Sequence, residues 1–188
     1  MGTIILASAS PRRKKLLEQI GLTFKVVKSN IKEALDVHIE PHTLAEKLSL
    51  QKAKDVAKKE KESLIIAADT LIVFEDEILG KPKNAIDARK ILKMLSGNIH
   101  IVITGFTILD SSTGILITKS VETKVFMKEM TDEEIHRYIA TGEPLDKAGA
   151  YGIQGKGAIF VEKIEGDYSN VVGLPLFELT KELKKFNV

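Results

Sequence analysis

The chain has 188 residues, and its 28 Lys and Arg residues against 26 Asp and Glu residues leave a formal net charge of +2. This near balance argues against a general nucleic-acid binder, whose domain would be clearly basic, and against an acidic disordered tail. Because the total charge is so small, any charge-based function must be local. The absence of Cys excludes disulfides, thiolate nucleophiles, iron–sulfur clusters and Cys-ligated zinc.

The first two elements predicted along the chain are a strand and a helix. Residues 3–7 (TIILA) are typical of a short buried strand. Ser10 then serves as the N-cap of a helix, with Pro11 as its first residue. Gly21 lies just past the end of that helix.

Two capping boxes predict where two later helices begin. Thr43 pairs with Glu46 in the first box, and Thr131 pairs with Glu134 in the second. The other segments follow from apolar patterning and turn residues. In chain order, the predicted strands cover 3–7, 24–27, 64–74, 78–79, 100–109, 115–126 and 159–164, and the predicted helices cover 11–20, 43–59, 84–95, 131–142 and 176–186.

The irregular alternation of helices and strands predicts a mixed sheet within an α/β, or mixed α+β, architecture. No internal repeat or change of composition marks a linker. Single hydrophobic cores grow to roughly 200–250 residues before they split. We therefore expect residues 1–188 to form one domain, or two lobes that share one core.

The N-terminal segment and the apolar runs predict a cytoplasmic protein. The first charges follow an apolar run, which is the reverse of the order in a signal peptide. No run approaches the roughly 18 apolar residues of a membrane span. The longest candidate, residues 64–74, is interrupted by Asp69 and Thr70, so we expect no membrane partner.

Small polar and basic residues follow the first strand directly. Ser8 and Ser10 precede the predicted helix N-terminus, where free N–H groups suit a phosphate or a carboxylate. Arg12 and Arg13 add guanidinium groups that suit the same anions. A capped helix with a solvated basic face would explain these residues as well. Their place at a strand end favours ligand binding, because open α/β sheets bind ligands at the carboxyl ends of strands.

Asp69 places a carboxylate inside an otherwise apolar predicted strand. Such a group is either hydrogen-bonded for structure or lies in a cleft, where it can hold a metal or orient water. The functional interpretation is favoured, because Asp is depleted within strands. Lys81, beside Pro82, is a candidate phosphate contact. Weaker candidates are Glu33, an acid in a loop, and Lys52, one of many lysines on its helix.

Seven of the 13 glycines lie between residues 142 and 173. Glycines at this density let the backbone approach a ligand closely. Gln154 lies among them and can both donate to and accept from the edge of a heterocycle. A flexible loop would explain the glycines but not the neighbouring Asp146–Lys147 pair.

The four histidines predict no metal site. His38 and His42 are four residues apart, but Pro41 between them argues against a shared helix face. We therefore expect all four histidines at the surface. No serine stands in a nucleophile elbow, so water is the expected attacking group.

Five short motifs follow one another along the chain: SASPRR at 8–13, ADT at 68–70, GKP at 80–82, DKAGAYGIQG at 146–155 and NVVGLPL at 170–176. Together they resemble the Maf family, the septum-formation-inhibitor-like nucleoside triphosphate pyrophosphatases. The motifs span residues 8–176, so the resemblance covers essentially the whole chain.

The resemblance implies a fold related to inosine triphosphate pyrophosphatases, with an elongated mixed sheet flanked by helices and two lobes around a deep cleft. It implies hydrolysis of a nucleoside triphosphate to the monophosphate and pyrophosphate with a divalent cation, Mg²⁺, Mn²⁺ or Co²⁺. Members of the family often form homodimers.

Carried over by position, the resemblance assigns roles to ten residues. Asp69 looks like the proton acceptor and, with Glu33, the metal ligand, and Glu33 is also counted among the catalytic residues. The other expected residues are Lys52 and Lys81 for catalysis and phosphate handling, Ser8, Ser10 and Arg13 for the pocket, and Arg12, Thr70 and Gln154 for the base preference of the dTTP/UTP-selective branch.

Three interpretations remain open at this point. The first is an enzyme that hydrolyses dTTP and UTP, or modified pyrimidine nucleotides, in a house-cleaning role linked to cell-division arrest. The second is a nucleotide sensor, which only turnover distinguishes from the enzyme. The third is a division-related module that binds DNA through the basic cluster 12–15, with a steep dependence on salt. The charge balance and the carboxylates favour the enzyme, without stable nucleic-acid binding.

Overall fold

The computed structural model describes residues 2–31 and 39–188, which form seven strands and six α-helices. The strands are β1 (Thr3–Leu6), β2 (Lys25–Val26), β3 (Ser63–Phe74), β4 (Glu77–Leu79), β5 (Ile99–Asp110), β6 (Leu116–Met127) and β7 (Val161–Glu165). The helices are α1 (Pro11–Gln19), α2 (Pro41–Ala57), α3 (Ala85–Leu95), α4 (Asp132–Ala140), α5 (Tyr168–Val172) and α6 (Leu176–Leu183).

The strands form a mixed sheet in the order β2-β1-β3-β5-β6-β7, and β4 pairs with β3. β1 runs parallel to β2 and to β3. β4 runs antiparallel to β3, and β7 runs antiparallel to β6. The prediction of a mixed α/β fold is therefore confirmed.

The chain divides into two compact units. The first unit consists of Met1–Thr70, Thr104–Val121 and Gly173–Val188, and the second consists of Leu71–Ile103 and Glu122–Val172. The expectations of a single domain and of a cleft between two lobes stay predictions. Within residues 2–31 and 39–188, no helix has the length and apolar character that a membrane span needs.

In the first unit, alternate residues of β1 and β3 face α2. Side chains two apart in a strand point to the same face. β3 supplies Ile65 and Ala67 to one core cluster, and β1 supplies Ile5, with Ala7 just past its end. Every member of this cluster is nearly inaccessible to solvent. The cluster comprises Ile5, Ala7, Ala53, Val56, Ile65, Ala67 and Leu109.

The start of α2 differs from the prediction. The helix begins at Pro41, because the Glu40 carboxylate accepts hydrogen bonds from the N–H groups of His42 at 3.0 Å and Thr43 at 2.9 Å. Pro at the first helical position loses nothing, since its missing N–H would have had no partner within the helix. The predicted box of Thr43 with Glu46 was wrong, since Glu40 caps the helix three residues earlier.

α2 approaches β5 closely at Gly105. A Cβ atom added there would lie 2.3 Å from the carbonyl carbon and oxygen of Ala45 and 2.6 Å from the amide nitrogen of Glu46. Only a residue without a side chain permits this approach. Lys52 lies two helical turns after Ala45 and therefore on the same face of α2.

In the second unit, the capping box of Thr131 with Glu134 is confirmed, and α4 begins at Asp132. The last predicted strand begins later than expected, since residues 155–160 form 3₁₀ turns and β7 covers Val161–Glu165. The short helix α5 was not predicted, because five residues carry too little periodicity to detect. In the first unit, the final helix ends at Leu183, and a 3₁₀ turn follows.

His100 contradicts the expectation that the histidines lie at the surface. Its side chain is 1% exposed, and its Nε2 atom lies 2.7 Å from the hydroxyl oxygen of Tyr151. The two rings pack edge to face, with their centroids 5.3 Å apart. Burial lowers the pKa of His100 to about 4, since the interior disfavours the charged ring.

The second unit is therefore expected to lose stability in mild acid. Unfolded His100 takes up a proton below about pH 6.5, whereas the folded protein resists protonation until about pH 4. We expect His100 to lower the free energy of unfolding by up to about 2 kcal/mol between pH 6.5 and 5. Chemical denaturation at each pH measures this, and His100→Gln, which retains an acceptor for Tyr151, should lose the dependence. Equal pH slopes for both proteins would contradict the prediction.

Candidate functional site

Asp69 and Lys52 form a buried ion pair in the first unit. Asp69 lies on β3 and Lys52 on α2, and the lysine Nζ donates to Oδ1 of the aspartate. The residues are 5% and 8% exposed. Two such charges are tolerated in the interior because each offsets the lost hydration of the other. The lone acid of the apolar strand thus has a cation beside it in an environment with little water.

Arg13 connects three separate segments of the first unit. Its Nη1 donates to Oγ of Ser8 at 3.3 Å, and its Nη2 donates to Oγ1 of Thr70 at 2.9 Å. Its Nε donates to the carbonyl oxygen of Gly173 at 2.7 Å. The guanidinium group is therefore held at a fixed position beside the start of α1.

The segment between β1 and α1 has the predicted cap. The Ser10 side chain accepts a hydrogen bond from the Arg13 N–H at 3.4 Å, and the Ser10 N–H donates to Oγ of Ser8 at 3.2 Å. Ser8 is buried, whereas Ser10 and Arg12 are half-buried. Ser10 thus satisfies the Arg13 N–H from within the chain, so the cap is structural as well as a candidate anion site.

Successive side chains of a strand point to opposite faces, so Asp69 and Thr70 belong to two different clusters of side chains. Asp69 clusters with Lys52, and Thr70 clusters with Arg13 and Ser8. Asp69 lies on the face that α2 covers, where it meets Lys52. The Thr70 hydroxyl lies 3.0 Å from that of Thr104 on the other face. Both clusters lie just past the last paired residues of β1 and β3, Leu6 and Ile66.

The other three predicted site residues are not among the described residues of the first unit. Lys81 and Gln154 belong to the second unit, and both side chains are exposed. Glu33 lies outside the described residues. Asp146 and Lys147 form an ion pair at 2.7 Å in the second unit.

Two glycines of the Gly-rich loop are required by the protein's own packing. A Cβ atom at Gly155 would lie 3.0 Å from Oε2 of Glu143, and one at Gly157 would lie 2.5 Å from the Tyr138 hydroxyl. Burial acts to raise the pKa of Glu143. The backbone N–H groups of Lys156 and Gly157 donate hydrogen bonds to its carboxylate and hold that pKa below its usual value. Sequence reasoning assigned no role to Glu143 and Tyr138, although Glu143 lies only three residues before the DKAGAYGIQG motif at 146–155.

Gly173 lies within the NVVGLPL motif, and the structure supplies the reason for a glycine there. Its φ of +124° is unfavourable for any other residue. A Cβ atom would lie 3.4 Å from Oγ1 of Thr70 and 3.5 Å from Nε of Arg13. The distance of 160 residues between Arg13 and Gly173 explains why no local pattern could find this contact.

Asp69 is one candidate ligand for a divalent cation among the described residues. No group of three or more His, Asp or Glu side chains suited to a metal occurs in the part of the chain that the structure describes. Mg²⁺ is usually bound by one or two carboxylates together with substrate phosphates, rather than by a cage of protein ligands. Asp69 supplies one carboxylate of that kind.

Comparison with known proteins gives consistent matches. The family model described as Maf-like protein matches residues 3–186. A dTTP/UTP pyrophosphatase of Alkaliphilus metalliredigens is 52% identical over 186 residues, which cover 98% of this chain and 96% of that protein. A dTTP/UTP pyrophosphatase of Methanosarcina barkeri is 53% identical over 189 residues, which cover 100% of this chain and 96% of that protein.

Among solved structures, a nucleoside-triphosphatase / dITP/XTP pyrophosphatase from Mycobacterium abscessus is 16% identical, with a TM-score of 0.41 over 74% of this chain and 92% of that chain. The family match and the two relatives, by contrast, each span nearly the whole sequence. The chain therefore belongs to the Maf family.

Proposed function

We propose that this protein hydrolyses dTTP and UTP to the corresponding monophosphate and pyrophosphate. The observation that carries the proposal is more than 50% identity, over nearly the full length, to two proteins named dTTP/UTP pyrophosphatase. The buried Asp69–Lys52 pair and the fixed Arg13 guanidinium support it, because they supply a base and positive charge at one strand end.

The chemistry proposed for Asp69 is activation of water. Its carboxylate accepts the proton of a water molecule that attacks the α-phosphorus, and pyrophosphate leaves from the opposite side. Lys52 keeps this carboxylate oriented through its hydrogen bond to Oδ1. Positive charge that is fixed before the reaction stabilises the negative charge that develops on the leaving group.

Residues of both clusters can serve one triphosphate for a geometric reason. β1 ends at Leu6, so beyond Ala7 it no longer flanks β3. We propose that the side chains of Asp69 and Thr70, on opposite faces of β3, both border the space past the end of β1. Ser8 and Arg13 border the same space, and we propose that they hold phosphate oxygens there.

We further propose that a divalent cation, Mg²⁺, Mn²⁺ or Co²⁺, takes part. Asp69 and Glu33 are the proposed protein ligands, and phosphate oxygens complete the coordination. Such a cation offsets charge on the phosphates and polarises the reacting phosphorus. Lys81 is proposed as a further phosphate contact, and Arg12, Thr70 and Gln154 are proposed to select the base.

We propose that the protein works in the cytoplasm as a single domain, forms a homodimer and binds no nucleic acid stably. A house-cleaning role linked to cell-division arrest follows only from the resemblance. Gel filtration and a gel shift at moderate salt test the dimer and the absence of DNA binding.

The proposed activity is tested with a panel of nucleoside triphosphates, canonical and modified. Pyrophosphate release is measured with Mg²⁺, Mn²⁺ or Co²⁺ and with a chelator. We expect dTTP and UTP to have the highest kcat/KM and the chelator to abolish turnover. Preference for purines would refute the assigned selectivity, and tight binding without turnover would identify a nucleotide sensor instead.

A further inference from the structure

Gln154 lies in a loop, residues 152–157, that is attached to two side chains without a role in the chemistry proposed above. On its N-terminal side, the Gly152 N–H donates to the Tyr138 hydroxyl oxygen at 3.3 Å. That hydroxyl donates in turn to Oε1 of Glu143 at 3.0 Å. One side of the loop is therefore attached to the Glu143 carboxylate through Tyr138.

The C-terminal side of the loop is attached to the same carboxylate directly. The Lys156 N–H donates to Oε2 of Glu143 at 3.0 Å, and the Gly157 N–H donates to Oε1 at 3.2 Å. Hydrogen bonds to an ionised carboxylate are stronger than those between neutral groups. Gln154 is thus held on both sides through one carboxylate, while its own side chain is exposed.

Packing around Tyr138 and Glu143 restricts the loop further. The Tyr138 ring packs edge to face on the buried ring of Phe160, with the ring centroids 5.1 Å apart. The positions of Gly155 and Gly157 leave no space for a side chain beside Glu143 and Tyr138. A loop that is held in one conformation places its side chains without paying the entropy of ordering on binding.

We propose that Tyr138 and Glu143 position Gln154 for selection of the nucleobase, an inference that rests on the proposed pyrophosphatase activity. Both are positioning residues, since they act through the loop. Loosening the loop weakens contacts to the base that Gln154 makes, whereas the water-activating carboxylate of Asp69 is unaltered. The effect therefore falls on KM and on selectivity between bases, with little change in kcat.

Two variants and a matched control test the proposal. Tyr138→Phe retains the ring against Phe160 and removes only the hydroxyl. Glu143→Gln keeps the size of the side chain and removes its charge. Glu133→Gln makes the same change on the same helix as Tyr138, but at an exposed carboxylate that pairs with Arg137.

Steady-state kinetics with UTP, dTTP and CTP are measured for each protein, with Gln154→Ala as the reference. We expect Tyr138→Phe and Glu143→Gln to raise KM for UTP about tenfold, which corresponds to the loss of one or two hydrogen bonds. We expect kcat to change by less than about threefold, and selectivity for UTP over CTP to fall as it does in Gln154→Ala. Glu133→Gln should match the wild type.

The outcomes separate this inference from the proposed function. A folded wild-type protein that releases no pyrophosphate from dTTP or UTP would refute the proposed function itself. With an active wild type, unchanged KM and selectivity in folded Tyr138→Phe and Glu143→Gln would overturn the inference. A loss carried by kcat alone, or full selectivity in Gln154→Ala, would overturn it as well.

Discussion

Asp69→Asn is expected to lower the rate of pyrophosphate release from dTTP and UTP on the order of 10²- to 10³-fold. The amide that replaces the carboxylate cannot accept a proton from water at neutral pH, and it offers a weaker ligand to a cation. The measurement is kcat with saturating nucleotide and Mg²⁺ for the folded variant. A rate near that of the wild type would remove Asp69 from the chemistry.

The same substitution also leaves the Lys52 ammonium buried without its carboxylate. Removing one partner of a buried ion pair typically costs about 3–5 kcal/mol, so the lower rate must be separated from unfolding. Asp69→Asn combined with Lys52→Met removes both charges and should recover much of the stability. We expect this double variant to melt above the single variant and to stay inactive.

Gly105→Ala is expected to produce the second-largest effect, through the position of α2. The new Cβ atom would lie 2.3 Å from backbone atoms of Ala45, so α2 must move away from β5. Overpacking of this kind costs about 1–3 kcal/mol, and the backbone contact puts this site at the upper end. Lys52 moves with its helix, and a displacement of about 1 Å can lower kcat/KM about 10²-fold.

Thermal unfolding and kcat/KM for UTP measure both effects of Gly105→Ala. The matched control is Gly114→Ala in the β5–β6 turn, where a Cβ atom meets nothing within 4 Å and only the φ of +75° opposes the change. The control should lose about 1–2 kcal/mol of stability and keep its activity. Equal activity in the two variants would show that the approach of α2 to β5 does not position Lys52.

Patterns within a few residues predicted the elements whose signals are local. Ser10 and Thr131 cap their helices as expected, because a cap involves only the backbone of the next turn. Thr43 does not, because the helix already begins at Pro41, where the Glu40 carboxylate accepts from the N–H groups of His42 and Thr43. Competition between two acceptable caps depends on the path of the chain before the helix, which a local pattern does not describe.

The sequence predicted which residues belong to the candidate site better than it predicted which of them contact one another. Asp69 was detectable because an acid inside an apolar strand requires compensation. Its partner was less evident, since α2 carries several lysines. Only the packing of α2 on the sheet shows that Lys52 is the lysine that faces Asp69. The contact of Arg13 with Gly173 joins residues 160 positions apart, and no spacing rule reaches that far.

Charge balance, the absence of Cys, the sheet type and the five motifs followed from the residues alone, because they depend on composition and local order. Burial and pairing followed only from the tertiary structure, because they depend on which distant segments pack together. His100 shows the difference: without a metal site it was expected at the surface, yet packing beside Tyr151 buries it. The Gly-rich loop shows it again, since two of its glycines are required by contacts with Glu143 and Tyr138.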